Sequence, residues 1–185
     1  MNRAARYAIG YISGEVLTAR FAHAMLEVVS RDDPPIFSLI TGPVMHTARN
    51  ELVNLYLNLM EAHSHRLVII DSDIEFSLDD LDALLEHDED VVSGIYSDAV
   101  GGIVRTGCGF MSIRREVLEN LAPHAFTPYV LPDGRVSGED VGFLHNARKA
   151  GFETVLDEQI RVGHVKHQVL HVMADATDKV EVLVL

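Results

Sequence analysis

The stretch Arg66-Leu-Val-Ile-Ile-Asp-Ser-Asp73 decides the fold. Its four aliphatic residues, Leu67 to Ile70, are apolar on both faces, as expected of a parallel strand covered on two sides. Upstream, a 3.6-residue stripe spans about His46 to Ala62, with Leu52, Leu55, Tyr56 and Leu59 on one side. Before it comes a second apolar run, Ile36–Ile40, ending at Thr41-Gly-Pro43 and preceded by the breaker Asp32-Asp-Pro-Pro35. A stripe of Val16, Phe21, Met25 and Val28 follows a first strand, Tyr7–Ile12, closed by Ser13-Gly14. Downstream lie a helix at Leu78–Glu86 and a strand at Val91–Ile95. This βαβαβαβ order predicts an α/β domain: a Rossmann-like, mostly parallel central sheet with helices on both faces.

The second half is less regular. Gly101, Gly102, Gly107 and Gly109 crowd the approach to a strand at Phe110–Ile113, followed by a helix from Arg114. A further helix spans Gly138 to Ala150, with Ser137 as its expected cap and Gly151 as its stop. No repeat, linker or low-complexity segment interrupts the 185 residues, so a single domain over 1–185 is expected. The closing Val180–Leu185 is apolar enough to need burial. It reads as a last strand or as an edge within 168–185 that pairs with a second copy, a possible homodimer.

Composition narrows the class. Apolar residues make up 48% and charged ones 23%, which fits neither a disordered chain nor a membrane protein. No apolar run approaches a bilayer span, and the N-terminus lacks the pattern of a signal peptide. A lone cysteine, Cys108, excludes an internal disulfide framework and suits a reducing, cytoplasmic setting. The net charge is −13, but ten acids between residues 71 and 90 leave only −3 for the rest. Without a basic stripe, binding to long nucleic acid is not expected.

Asp71 and Asp73 sit where the most apolar strand ends, the rim at which open α/β sheets bind ligands. In an extended segment the two carboxylates could aim at one divalent cation; they could equally cap the helix at Leu78. Glu139 and Asp140 open a later helix, where acids also favour the helix dipole. His164 follows the apolar residues Ile160 and Val162 and reads either as a rim ligand or as a packed histidine. His164, His167 and His171 at helical spacing would make an alternative metal site, although Val165, Val169 and Val172 suit a strand as well.

Taken in order, these motifs resemble the family 2-like glycosyltransferases of the GT-A fold. The resemblance rests on Val68-Ile-Ile-Asp-Ser-Asp73, on Gly109-Phe-Met-Ser-Ile-Arg-Arg115, on Ser137-Gly-Glu-Asp-Val-Gly-Phe143 and on Gly163-His164. Ala48-Arg-Asn-Glu-Leu52 and Val92-Ser-Gly-Ile-Tyr96 add to it, so it runs from about residue 7 to residue 167. One departure is Leu39-Ile-Thr-Gly-Pro43, where many such enzymes carry an acidic segment that contacts the nucleotide base.

The resemblance implies a metal-dependent transferase that moves a sugar from a nucleotide-diphosphate donor to an acceptor hydroxyl, with inversion. It implies Mn²⁺ or Mg²⁺ held by Asp73 with Asp71 in support, and His164 as a nitrogen ligand, which suits Mn²⁺. Asp140 would be the catalytic base and Glu139 would shape the acceptor site. Gly10, Tyr11, Ile12, Ser13, Thr41, Arg49, Asp71 and Ser72 would line the nucleotide side, with Arg49 contacting diphosphate or carboxylate oxygens through its fork. Tyr11 would stack on the base or pack in the core; Arg49 would otherwise be a surface residue of its helix. Two rivals remain: a non-catalytic nucleotide-sugar or protein-binding module on the same fold, and a haloacid-dehalogenase-type phosphohydrolase. In the latter, Asp-x-Asp opens the domain and is followed by Gly-Thr, whereas here Ile74-Glu75 follows.

Overall fold

The structure, a computed structural model, describes residues 7–14, 17–40, 44–60, 65–97, 103–104, 107–165, 170–174 and 180–184. Its first half alternates strand and helix as expected: β1 (Tyr7–Ser13), α1 (Ala19–Asp32), β2 (Ile36–Ile40), α2 (Met45–Leu59) and β3 (Arg66–Asp71). A short β4 (Ile74–Glu75), α3 (Leu78–Glu86) and β5 (Val91–Ser97) follow. The second half holds β6 (Ile103–Val104), β7 (Phe110–Arg114), α4 (Arg115–Leu121), α5 (Glu139–Lys149), β8 (Thr154–Arg161) and β9 (Gly163–His164). Finally, β10 (Leu170–Ala174) and β11 (Val180–Val184) pair antiparallel as a two-stranded sheet of their own.

The main sheet has the order β2-β1-β3-β7-β5-β6, with β8 also on β5. β1 pairs parallel with both β2 and β3, and β5 pairs parallel with β8. The expected direct succession of β3 by β5 does not occur. Instead β7 enters between them, antiparallel to both, through pairs such as Ile69↔Met111 and Val92↔Ser112. The chain reaches β7 only after β5, and a residue pairing so distant leaves no local pattern to read.

Burial follows from that order. Leu67, Val68, Ile69 and Ile70 are all fully buried, with alternate residues feeding two separate cores. Val68 and Ile70 pack with Phe21, Val28, Leu81 and Phe110; Leu67 and Ile69 pack with Tyr56, Met111, Phe126 and Phe143. On α2 the buried apolar face is Ala48, Leu52, Val53 and Tyr56. Leu59, expected on that face, is instead exposed at the last turn. Ser77 and Asp80 form a reciprocal capping box that starts α3. Asp71 and Asp73 are therefore not its caps. Ser137 does not cap α5 either: Gly138 holds that position, and the Ser137 hydroxyl bonds the Tyr129 carbonyl. Gly151 closes α5 at φ +94°, as a left-handed stop should.

Candidate active site

The rim after β3 is shaped by a turn. β3 ends at Asp71, residues 72–73 turn, and β4 begins at Ile74, so the segment is not extended through Asp73 as the sequence suggested. β4 then pairs antiparallel with β9, in the register Ile74↔His164 and Glu75↔Gly163. The Val165 N–H donates to the Asp73 carbonyl at 2.7 Å. This pairing carries His164 across ninety-one residues to Asp73, whose Oδ2 lies 3.0 Å from the imidazole Nε2.

The other imidazole nitrogen, Nδ1, lies 2.7 Å from the Ser97 carbonyl oxygen. A carbonyl can only accept, which assigns the proton to Nδ1 and leaves Nε2 of the neutral ring as an acceptor. Two acceptors 3.0 Å apart need a cation between them: a second ring proton or a metal ion. A ring held by a backbone carbonyl and facing a carboxylate is a usual arrangement for a metal-binding histidine. His164 and Asp73 thus suit a divalent cation as a pair. Among the described residues, no group of three or more His, Cys, Asp and Glu side chains is placed to hold a metal. His164 lies in β9 and His171 in β10, so they do not share a helix; His167 lies outside the described residues.

Asp71 faces a different partner. Both its oxygens accept from Arg49 Nη2 at 3.1 Å, while Arg49 Nη1 bonds Glu139 at the start of α5. Arg49 is no surface residue: it is only 4% exposed. Burial opposes its charge, but the carboxylates of Asp71 and Glu139 outweigh burial and hold its pKa above the ordinary value. Its Nε is buried without a hydrogen-bond partner among the described residues, and its guanidinium lies 6.0 Å from the centre of the Phe126 ring. Arg49 therefore contacts two carboxylates of the chain itself.

Cys108 is buried close enough to this cluster to sense its charges. Burial raises its thiol pKa, and it feels Arg49, Asp140, Asp71 and Glu139 together. The Asp140 carboxylate accepts from the N–H of Val141 at 2.8 Å and makes no ion pair among the described residues.

Tyr96 closes the cluster on the β5 side, a role the sequence did not signal beyond its place in the strand. Its hydroxyl accepts from the Gly109 N–H at 3.3 Å, and its ring stands edge-on to His164, with centres 5.1 Å apart. A Cβ at Gly109 would come within 3.1 Å of that ring, which is why a glycine serves there.

The residues expected on the nucleotide side divide. Gly10 faces Leu52 and Leu67, and Ile12 packs with Ala48 and Leu52, so both belong to the core. Tyr11 is half-buried and packs edge-on against Phe21 at 5.2 Å. Ser13 is buried at the end of β1, and Thr41 lies outside the described residues. Ser72 presents its carbonyl to the hydroxyl of Thr18, at the start of α1, at 3.5 Å.

No family model and no curated protein matches the sequence. Solved structures do match. STIV protein A197 superposes with a TM-score of 0.60 at 19% identity, over 95% of this chain and 93% of that one. A glycosyltransferase involved in glycosylation of the major capsid of PBCV-1 superposes with a TM-score of 0.54 at 11% identity, over 82% and 81%. A mutant Drosophila β1,4-galactosyltransferase 7, in complex with manganese, UDP-Gal and xylobiose, matches at 0.51 and 13%, over 87% and 71%. The chain has the GT-A fold. In that fold the Asp73–His164 pair and the Arg49-centred cluster occupy the rim that β3 opens. Among the described residues, no helix is long and apolar enough to cross a membrane.

Proposed function

We propose that this chain is a single-domain, metal-dependent glycosyltransferase that moves a sugar from a nucleotide-diphosphate donor to an acceptor hydroxyl, with inversion at the anomeric carbon. The observation that carries this reading is the Asp73–His164 pair, two acceptors face to face at the end of β3. The likeness to a galactosyltransferase crystallised with manganese and UDP-Gal supports a nucleotide-sugar donor and Mn²⁺.

Asp73 and His164 would hold Mn²⁺ or Mg²⁺, and the bound ion would neutralise charge on the departing diphosphate. Arg49 keeps Asp71 and Glu139 in fixed places, so neither carboxylate swings toward the donor. Asp140, which makes no ion pair among the described residues, takes the proton of the acceptor hydroxyl. The acceptor oxygen then bonds the anomeric carbon as the bond from that carbon to the diphosphate oxygen breaks. The electron pair of that bond leaves with the nucleoside diphosphate.

A second reading is favoured by one observation. Asp71 is paired with Arg49, so one carboxylate of Asp-x-Asp faces the cation site, which is enough for a module that binds a metal-nucleotide without transfer. A thermal-shift screen of nucleotide sugars, with and without Mn²⁺, tests the donor half. A metal-dependent stabilisation from one nucleoside diphosphate series is expected, and no shift from any series would overturn the transferase reading. Release of free nucleoside diphosphate from that donor separates transferase from module.

A further inference from the structure

Two adjacent residues of α2 hold the two ends of one loop. Arg49 bonds Glu139 at the far end. Asn50 holds the near end: its Nδ2 donates to the Phe126 carbonyl at 2.8 Å, and its Oδ1 accepts from the Phe126 N–H at 2.9 Å. A planar carboxamide offers a donor and an acceptor side by side, and here it pairs both backbone groups of a single residue as a neighbouring strand would. Phe126 is fully buried, so without Asn50 these groups have no water to turn to. Its ring stacks on Phe143 of α5 with centres 4.6 Å apart. Gly142 of α5 seals the contact, since a Cβ there would fall 1.7 Å from the Thr127 carbonyl oxygen.

Between the two anchors the chain forms a self-bonded hairpin. Val130 bridges Val136, the Ser137 N–H donates to the Tyr129 carbonyl at 2.8 Å, and Gly134 turns at φ +83°. Val130 and Val136 are 60% and 68% exposed, while Tyr129 stacks on His145 at 4.0 Å. The hairpin thus runs directly into Glu139-Asp140 and is tied to the rest of the molecule chiefly at its ends. The Asp73–His164 pair is held by other bonds, those of β4 with β9.

We propose that Asn50 is a positioning residue: it sets the hairpin at 127–138, and through it Glu139-Asp140, as the acceptor side of the site, independently of the cation side. This rests on the transferase reading for what the two sides do, but the mechanical division stands by itself. The test is amide hydrogen exchange on the full chain, comparing wild type with Asn50→Ala and Asn50→Asp. Calorimetry of Mn²⁺ with UDP and turnover of UDP-galactose to water accompany it.

In Asn50→Ala, exchange at 125–142 should rise about ten- to a hundredfold, the factor expected when two buried backbone groups lose their partner. Amides of β3, β4 and β9 should keep wild-type exchange, as should the affinity for Mn²⁺ with UDP. Turnover should fall about tenfold in kcat with an unchanged KM for the donor, a split that general destabilisation does not produce. Asn50→Asp retains the acceptor but sets a carboxylate oxygen against the Phe126 carbonyl, so an effect at least as large as that of Asn50→Ala is expected at 125–142. Wild-type exchange at 125–142, or acceleration spread evenly through β3 and β9, overturns the proposal. If the wild type turns over no UDP-galactose, the transferase reading loses support for that donor, and the exchange pattern alone decides Asn50.

Discussion

Two carboxylates flank Ser72, and they meet opposite surroundings. Asp71, the last residue of β3, is neutralised by a buried arginine that also holds Glu139. Asp73, in the turn beyond the strand, meets an imidazole whose facing nitrogen has no proton in its neutral form. Residues i and i+2 of a strand point to one face, but the strand stops at Asp71 and that rule stops with it. One carboxylate is therefore bound to an arginine of the chain, and the other is the one the proposed reading gives to the cation. Charge pairing stiffens the first, whereas the second faces a ring nitrogen 3.0 Å away.

The largest expected effect separates Asp140 from both. Asp140→Asn keeps the shape and loses the proton acceptor, so transfer should fall by roughly two to four orders of magnitude while donor binding persists. If Asp140 serves only the first turn of α5, asparagine is nearly as good there and the rate with the true acceptor will barely change.

Arg49→Met attacks the frame. It leaves Asp71 and Glu139 without their shared cation, and breaking such a buried pair costs about 3–5 kcal/mol. Urea denaturation should show that loss, and adding Asp71→Asn and Glu139→Gln should restore much of it. Equal stability of Arg49→Met and wild type would mean that the network contributes nothing. Asp73→Ala probes the other carboxylate. It should weaken Mn²⁺-dependent nucleotide binding by more than about tenfold and change stability by no more than about 0.5 kcal/mol. His164→Ala should weaken binding less. Unchanged affinity by calorimetry in Asp73→Ala would remove this residue from the cation site.

What the sequence revealed of this contrast depended on range. The bounds of β3 and α3 are local matters, set by Leu67–Ile70 and by Ser77 with Asp80, and both are legible. Glu139 and Asp140 at the head of a helix are legible for the same reason. The turn at 72–73 is dictated by β9, far along the chain, so nothing near Asp73 discloses that it parts from Asp71. The insertion of β7 is hidden in the same way. Arg49 stands out in the sequence by its chemistry, but its two carboxylate partners lie 22 and 90 residues away. Asn50, beside it, stands in the Ala48–Leu52 motif, but nothing in that motif gives it a partner until Phe126 is seen in its grip.

The smallest effect comes from a second imidazole that faces carboxylates, and it isolates what is special at His164. His87 Nδ1 lies 2.9 Å from Glu89, and its Nε2 lies 3.1 Å from Asp157. Both nitrogens face carboxylate oxygens, so the charged ring can donate to both whereas a neutral ring could donate to only one. Burial opposes its charge, but the bonds to Glu89 and Asp157 prevail and raise its pKa above the ordinary value. A raised folded pKa fixes the sign. The stabilisation is complete below the unfolded value near 6.5 and fades as pH rises through the folded one. Asp157 is lowered, first by the N–H of Gln159 and then by His87, so its own contribution is lost only at acid pH. For the solvent-screened His87–Asp157 pair the effect should be about 0.5 kcal/mol. Urea midpoints across pH 6 to 8 should therefore decline slightly more in wild type than in His87→Asn, and Mn²⁺ should not alter that difference. Identical slopes would show that His87 is not charged in the folded state. A slope that Mn²⁺ abolishes would mean that an imidazole between two carboxylates takes the metal as readily as one held by a carbonyl.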